Sequence, residues 1–411
     1  MSETCEALVV GGGPAGAVAA LLLARAGWHV VIVEKASFPR RKVCGEFISA
    51  TTWPLLQAIG IADALSPIAG PAVRRVAVFA GDSSIVSALP MADTGQDAAA
   101  GRALGREDLD LLLLAHAVRA GAQCRQPWRL IAFADDRDAA RCTLAQCDSE
   151  RTITIRARVV IAAHGSWECG PLPTQAFARE SRRDDLLGFK ARFDNALLPG
   201  DLMPLLAFPG GYGGLVHTSD GRVSLSCCVR RDALAAIRQR WPGRRAGDAL
   251  RAHIESTCSG AASAIGGAAL DGGWLAAGPM RTGIRTFGSG RIIAVGNAAA
   301  EAHPIVAEGI SMAIQSAHLA CAALLRTPDT TLSIDALARA RKDYRAACRA
   351  NFSRRIDAAA FFAHIFMRPA TAAIAAGLLA RVPRLLTLGA HWSGKDAVLR
   401  PMARRLAADL R

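Results

Sequence analysis

The chain has 411 residues, 51% of them hydrophobic, and a formal net charge of +14. That length suits two domains, or one large domain with an insertion, around a sizeable core. The cations come in pairs such as Arg182-Arg183 and Arg404-Arg405 rather than in a long tract, and aromatics are only 5%, so no base-stacking surface and no nucleic-acid partner are expected.

Eleven cysteines without a C-x-x-C pair speak against a disulfide framework or a zinc site, so no metal is expected and a reducing, cytoplasmic setting fits. The first residues lack the basic start of a secretory signal. Pro369 to Ala380 is apolar but too short to span a bilayer.

The first forty residues organise the rest. The apolar run Ala7-Leu8-Val9-Val10 has strand character and meets a glycine turn, Gly11-Gly12-Gly13-Pro14-Ala15-Gly16. A helix-period stretch follows to Ala26, and a second apolar run, Val30 to Val33, ends in Glu34-Lys35. This is a βαβ unit carrying the dinucleotide fingerprint G-x-G-x-x-G at Gly11, Gly13 and Gly16. Gly11 allows the tight turn, Gly13 lets backbone approach a pyrophosphate, and Gly16 lets the helix pack close to the sheet. Pro14 and Ala15 open the helix, whose N-terminus offers N–H groups and a positive dipole end to phosphates. Glu34 sits where a ribose hydroxyl is accepted.

The next stretch reads Phe38-Pro39-Arg40-Arg41-Lys42-Val43-Cys44-Gly45-Glu46. Its cations can neutralise phosphate charge. With the fingerprint and Glu34-Lys35 ahead of it, this segment resembles the geranylgeranyl reductase branch of the FAD-dependent, hydroxylase-type flavoproteins, whose relatives include aromatic hydroxylases and flavin-dependent halogenases. The resemblance implies a Rossmann-like FAD-binding domain of the glutathione reductase type, an interleaved mixed β-sheet substrate domain and a C-terminal helical region. On that pattern residues 1–70, 98–166 and 281–328 form the FAD domain, 71–97 and 167–280 the substrate domain, and 329–411 the helical region. It implies FAD as cofactor, NADPH or NADH as a candidate electron donor, and Lys35 and Arg41 as cofactor contacts. Cys44 reads either as a residue on the substrate side of the flavin or as a small buried hydrophobe.

Thr51 to Leu65 has helix periodicity, and Val73 to Leu89 alternates about Gly81-Asp82 as a hairpin. Arg106 precedes the helix pattern from Leu109 to Gly121. The resemblance makes it a flavin contact; on its own it is also a solvated arginine at a helix start. After the strand-like run Ala157 to Ala163, His164-Gly165 stands where the family carries Asp-Gly, which weakens direct recruitment of a nicotinamide. His164 is either a phosphate or ribose contact or a capping residue.

Leu186 to Phe193 and Leu205 to Val229 are strand-rich. Within them Tyr212, one of two tyrosines, stands among Gly210, Gly211, Gly213 and Gly214, which suggests a chain passing close to a ligand or a glycine-rich hairpin. The Trp-x-Trp-x-Ile-Pro motif of halogenases is absent. A second anchor runs from Arg291 through Gly296-Asn297 and His303-Pro304 to Gly309 and a long helix pattern. In the families resembled it closes over the ribitol and flavin. Here Asn297 replaces an aspartate and Ala307 a glycine, and an amide still bonds a hydroxyl. His303 either faces the flavin or is structural. Residues 330–411 are helical and rich in alanine and arginine, punctuated by Pro369, Pro383 and Pro401. They read as helices packed on the body, with a lipid-facing amphipathic surface as the other reading.

The cofactor would carry the chemistry, with Cys44, Tyr212 and His303 as candidate catalytic residues. The first expectation is a flavin monooxygenase acting on an apolar aromatic or polyketide-like molecule. The second is an alkene reductase of a lipid, and the third a flavin-binding protein without turnover. The expected partners are an apolar small-molecule substrate and an electron donor, nicotinamide or a flavin reductase, with peripheral membrane contact open.

Overall fold

The computed structural model describes residues 3–89, 100–175, 180–327 and 331–393. The end of the 71–97 segment, Pro401 and Arg404-Arg405 lie outside the described residues. Two seven-stranded sheets carry the chain.

In the first sheet Gln123–Arg125, Val30–Val33, Glu3–Val10 and Thr152–Ala162 run parallel in that order, and Ile292–Ala294 pairs with the end of Thr152–Ala162. Ala140–Gln146 and Trp128–Asp135 continue it antiparallel. The central strands are buried on both faces, which is why Val30–Val33 reads as an unbroken apolar run rather than an alternating one. The helix Pro14–Arg25 packs against both Arg106–Arg119 and Gly309–Leu325. Pro14 sits in its first turn, where the missing N–H costs nothing. Every residue from Pro14 to Ala24 is buried, so its alanines and leucines cover all faces rather than a stripe.

The second sheet runs Ala269–Ala277, Leu186–Asp194, Val223–Arg230, Gly211–His217, Leu202–Phe208, Arg75–Ala80, Ser83–Ala88. Only Leu202–Phe208 and Arg75–Ala80 pair in parallel. Strand alternation sorts its two faces. Ala77, Phe79, Leu206 and Phe208 face a core closed by the helices Arg231–Arg240, Ala246–Thr257 and Ser259–Ile265, while Val78 and Ala207 face the C-terminal helices. Those three helices have no counterpart in the strand-rich expectation for residues 167–280. The helix expected over Thr51–Leu65 is broken into Trp53–Ala58 and Ala62–Leu65 at Gly60.

Ser333 caps the helix Ile334–Phe366, its side chain accepting from the Ala336 N–H. This helix packs along Gly309–Leu325, burying Tyr344, Cys348 and Phe352. Pro369 then opens Pro369–Arg381, and Arg384–Trp392 follows Pro383. Among the described residues no single helix is long and apolar enough to cross a membrane.

Phe352 is fully buried in the core of the first sheet, whereas Leu197 is 81% exposed. Phe352→Ala is expected to cost about 3–5 kcal/mol and Leu197→Ala under about 0.5 kcal/mol, read from urea unfolding midpoints.

Candidate flavin site

The parallel strands end together, and the turn after the first of them is set by close approach. A Cβ on Gly16 would lie 1.8 Å from the Gly11 carbonyl oxygen, so only glycine lets this helix start so near the strand. Gly13 is different: an added Cβ meets only the guanidinium tips of Arg106 at 3.7 Å and Arg40 at 3.9 Å. The helix N-terminus and two cations thus surround an open space the size and sign of an anion. The Gly12 N–H donates to Glu34 Oε2 at 2.8 Å and the Ala36 N–H to Glu34 Oε1 at 2.9 Å, which fixes this carboxylate at its strand end.

Arg106 is buried and donates twice to Asp110, at 2.7 and 2.6 Å. Burial opposes its charge, but the Asp110 carboxylate outweighs burial and holds it protonated. A solvated arginine is therefore excluded. Arg40 lies 3.6 Å from both Glu34 and Asp110. Lys42 lies over the Trp167 ring, 5.6 Å from its centroid. Lys35 is exposed and pairs with Glu168. The Arg41 guanidinium lies against Gly272 of the second sheet. Arg40 Nε and Arg41 Nε and Nη2 are buried without a hydrogen-bond partner. A diphosphate-bearing cofactor answers the two features together: buried N–H groups with nothing to bond and a space that a side chain would fill.

The second anchor closes the site from the other side. A Cβ on Gly296 would come within 2.8 Å of the Ala15 Cβ. Asn297 Nδ2 donates to Glu301 Oε1 at 3.1 Å, and Arg285 donates to Glu301 Oε2 at 2.6 Å and to the Asn297 carbonyl. Burial raises the Glu301 carboxyl against the pull of Arg285. Gly309 is the first residue of its helix and faces the same cavity as Asn297. Ala307 holds φ at +53°, the left-handed region. That explains the glycine of the families resembled: here an alanine carries the strain.

Between the sheets lies an apolar chamber of about 670 Å³. Gly13, Arg106, Asn297 and Gly309 stand at one end, Cys44, Val76, Leu205 and Tyr212 along it, and Phe362, Leu379 and Trp392 at the other. Cys44 Sγ accepts from the Glu46 N–H at 3.4 Å, and its carbonyl accepts from Ser226 Oγ at 2.6 Å. Tyr212 Oη and His303 Nδ1 are 2.6 Å apart. Burial pushes the His303 imidazole down to about 4 and the Tyr212 phenol well up, so both are neutral at neutral pH. His164, also pushed to about 4 by burial, bonds Thr174 Oγ1 at 2.9 Å. Gly210 and Gly211 serve strand packing, since added Cβ atoms would meet Ala233 at 2.3 Å and the Cys228 carbonyl at 2.4 Å; Gly213 and Gly214 face the chamber.

The motif reading missed one cluster. Glu46, at φ +58°, pairs with Lys190 and, at 3.0 Å, with Arg192, all three buried. Its signal was the strand Leu186–Asp194, where Lys190 and Arg192 alternate with Phe189, Ala191 and Phe193: two cations on one face of an otherwise apolar strand.

Burial, reinforced by Arg106 and Arg40, pushes the Lys42 ammonium down to about 8. A bound anion raises that value, so the ammonium favours anion binding fully below about 8 and loses this effect as the pH climbs above it. In apoprotein reconstitution, FAD affinity is expected to fall roughly tenfold across that rise, and Lys42→Met to lower affinity at neutral pH and abolish the step. Ala307→Gly is expected to relieve about 1 kcal/mol of left-handed strain, seen as a higher unfolding midpoint.

Residues 4–184 match a family model described as FAD binding domain. The chain is 28% identical over 330 residues to digeranylgeranylglycerophospholipid reductase 1 of Methanopyrus kandleri, covering 75% of this chain and 77% of that protein. It is 27% identical over 345 residues to conditioned medium factor receptor 1 of Dictyostelium discoideum, covering 78% of this chain but only 63% of that protein, less than two thirds of its length. The fold matches the myxobacterial chondrochloren halogenase, an FAD-dependent halogenase, with a TM-score of 0.74 at 18% identity over 99% of this chain and 97% of that one. Residues 4–184 therefore constitute an FAD-binding domain.

Proposed function

We propose that the protein is an FAD-dependent oxidoreductase that reduces an alkene in an elongated, apolar, lipid-like substrate. The observation that carries this is the shape and lining of the chamber. Its lining reaches from the fingerprint turn and Gly309 to Phe362, Leu379 and Trp392 and is mostly apolar, its charged residues Lys42, Glu46, Arg106 and Glu301 belonging to the site described above, which suits a chain rather than a compact polar molecule. The reductase from Methanopyrus kandleri, whose name places it on a prenyl phospholipid, aligns along most of both chains.

FAD bound here supplies two-electron redox chemistry. Gly13, Arg40, Lys42 and Arg106 would hold its diphosphate, Glu34 a ribose and Asn297 the ribitol. The protein's own work is to exclude water and align the chain. Phe361, Leu378 and Trp392 line the chamber yet are 56%, 53% and 51% exposed, beside Arg381 and Arg384. This is the entry we assign to substrate arriving from a membrane surface, by apolar insertion and attraction to anionic lipid. Reduced nicotinamide or a flavin reductase is the electron donor in this scheme.

A second reading, oxygenation of an aromatic substrate, is favoured by Tyr212, whose buried phenol offers a hydrogen-bonding anchor inside a mostly apolar wall. One experiment separates the two. Photoreduced, flavin-loaded protein is mixed with geranylgeraniol or 2-naphthol, with and without air, and products are read by mass spectrometry. Geranylgeraniol that has gained two hydrogens without air is the expected result. A naphthol that has gained one oxygen, only in air, would transfer the assignment to the second reading. No product in either arm would overturn both.

A further inference from the structure

We propose that Tyr212 and His303 form a proton conduit through the wall between two cavities, Tyr212 giving a proton to the substrate and His303 restoring it from water. This rests on the alkene-reductase reading. Tyr212 lines the apolar chamber. His303 lines a second cavity of about 360 Å³, whose walls carry Arg182, Asp184, Asp185, Arg230 and Thr282. One cavity is apolar and the other charged, and the 2.6 Å contact between Oη and Nδ1 joins them.

The partition around that contact is built of apolar side chains. Tyr212 packs with Leu186, Cys228 and Ala363, and Leu205, Ile305 and Met367 press on the same cluster. The rings lie 5.2 Å apart and tilted by 49°, so they meet through the hydrogen bond rather than by stacking. The groups acting on the phenol are Cys228, the Ile305 N–H and Glu301. The Ile305 backbone works against burial and lowers the phenol's pKa. With the proton of neutral His303 on Nδ1, the oxygen accepts from that nitrogen, and its own O–H donates to Cys228, which lines the same chamber, until substrate takes its place. Nε2 is then the imidazole's free acceptor, and the second cavity is the water it draws on.

The step balances. With reduced FAD bound, its hydride would add to one alkene carbon, and the Tyr212 O–H would break as its proton forms the C–H bond at the other. The Nδ1 proton passes to the phenolate oxygen, and water in the second cavity protonates Nε2. The ring is neutral again with its proton on Nε2, and exchange with that water resets the tautomer. Burial makes both groups reluctant to hold charge, which favours concerted transfer over a standing phenolate or imidazolium.

The test uses flavin-loaded protein. Tyr212→Phe is expected to lower kcat for geranylgeraniol reduction by about 100-fold or more with KM nearly unchanged and the flavin content retained. His303→Gln, which keeps a hydrogen-bonding group at that position but cannot relay a proton, is expected to lower kcat by a smaller factor and to enlarge the solvent deuterium isotope effect. Retained turnover in Tyr212→Phe, or loss confined to KM, would overturn the proposal. A readout independent of turnover is ¹⁵N-histidine NMR of the resting protein, with the His303 signal assigned by its loss in His303→Gln. Neutral imidazole protonated on Nδ1 is expected; protonation on Nε2 alone, with Nδ1 accepting from the phenol, would overturn it. If no probe is turned over, the reductase reading fails by itself, and the tautomer still decides the conduit.

Discussion

The structure depends on one backbone crossing. Gly16 stands so near Gly11 that a methyl group would sit inside the Gly11 carbonyl oxygen, and a methyl group on Gly296 would come within 2.8 Å of the Ala15 Cβ. These two contacts draw the N-terminus of Pro14–Arg25 and the turn that leads into Gly309–Leu325 onto the ends of the parallel strands. Two helix starts converging on one space give it a positive potential before any side chain is counted. Whatever binds there is held by geometry that small residues alone permit.

Side chains then tune the space. A row of cations would repel itself in a buried setting unless paired. Asp110 answers Arg106, and Glu34 and Asp110 lie near Arg40, leaving Lys42 with a weakened hold on its proton and Arg40 Nε without a partner. That is a site poised for an anion. The Glu46–Lys190–Arg192 cluster does a different job: it ties the loop carrying Cys44 to the second sheet. Buried ion pairs of this kind contribute little net stability, and removing one partner leaves the other charge stranded. The cluster thus fixes where the loop stands between nucleotide turn and chamber.

The βαβ start was legible because its physics is local: an apolar run, a glycine turn, a helix and an acid fall within forty residues. The FAD-binding fold followed from that start and the second glycine anchor. Tyr212 and His303 were each visible as unusual residues. Their meeting was not, since it joins the strand Gly211–His217 to a turn some ninety residues later. Arg41 looked equivalent to Arg40 and Lys42 in the sequence, but successive residues of an extended loop point apart, and it turns to Gly272. The helices over 231–265 carried a readable signal, Leu234 with Ile237 and Leu250 with Ile254 at helical spacing, which the strand pattern on either side of them masked. The chamber was illegible in principle, because its walls come from strands and helices more than three hundred residues apart in sequence.

The central claim is that an elongated apolar molecule lies in this chamber against the flavin. It is tested most directly by titrating oxidised, flavin-loaded protein with geranylgeraniol while recording the visible flavin spectrum. A saturable difference spectrum is expected, and Leu205→Arg, which puts a charge in the chamber wall, should abolish it without loss of flavin. No spectral change in the unaltered protein, or one that Leu205→Arg leaves intact, would contradict the claim.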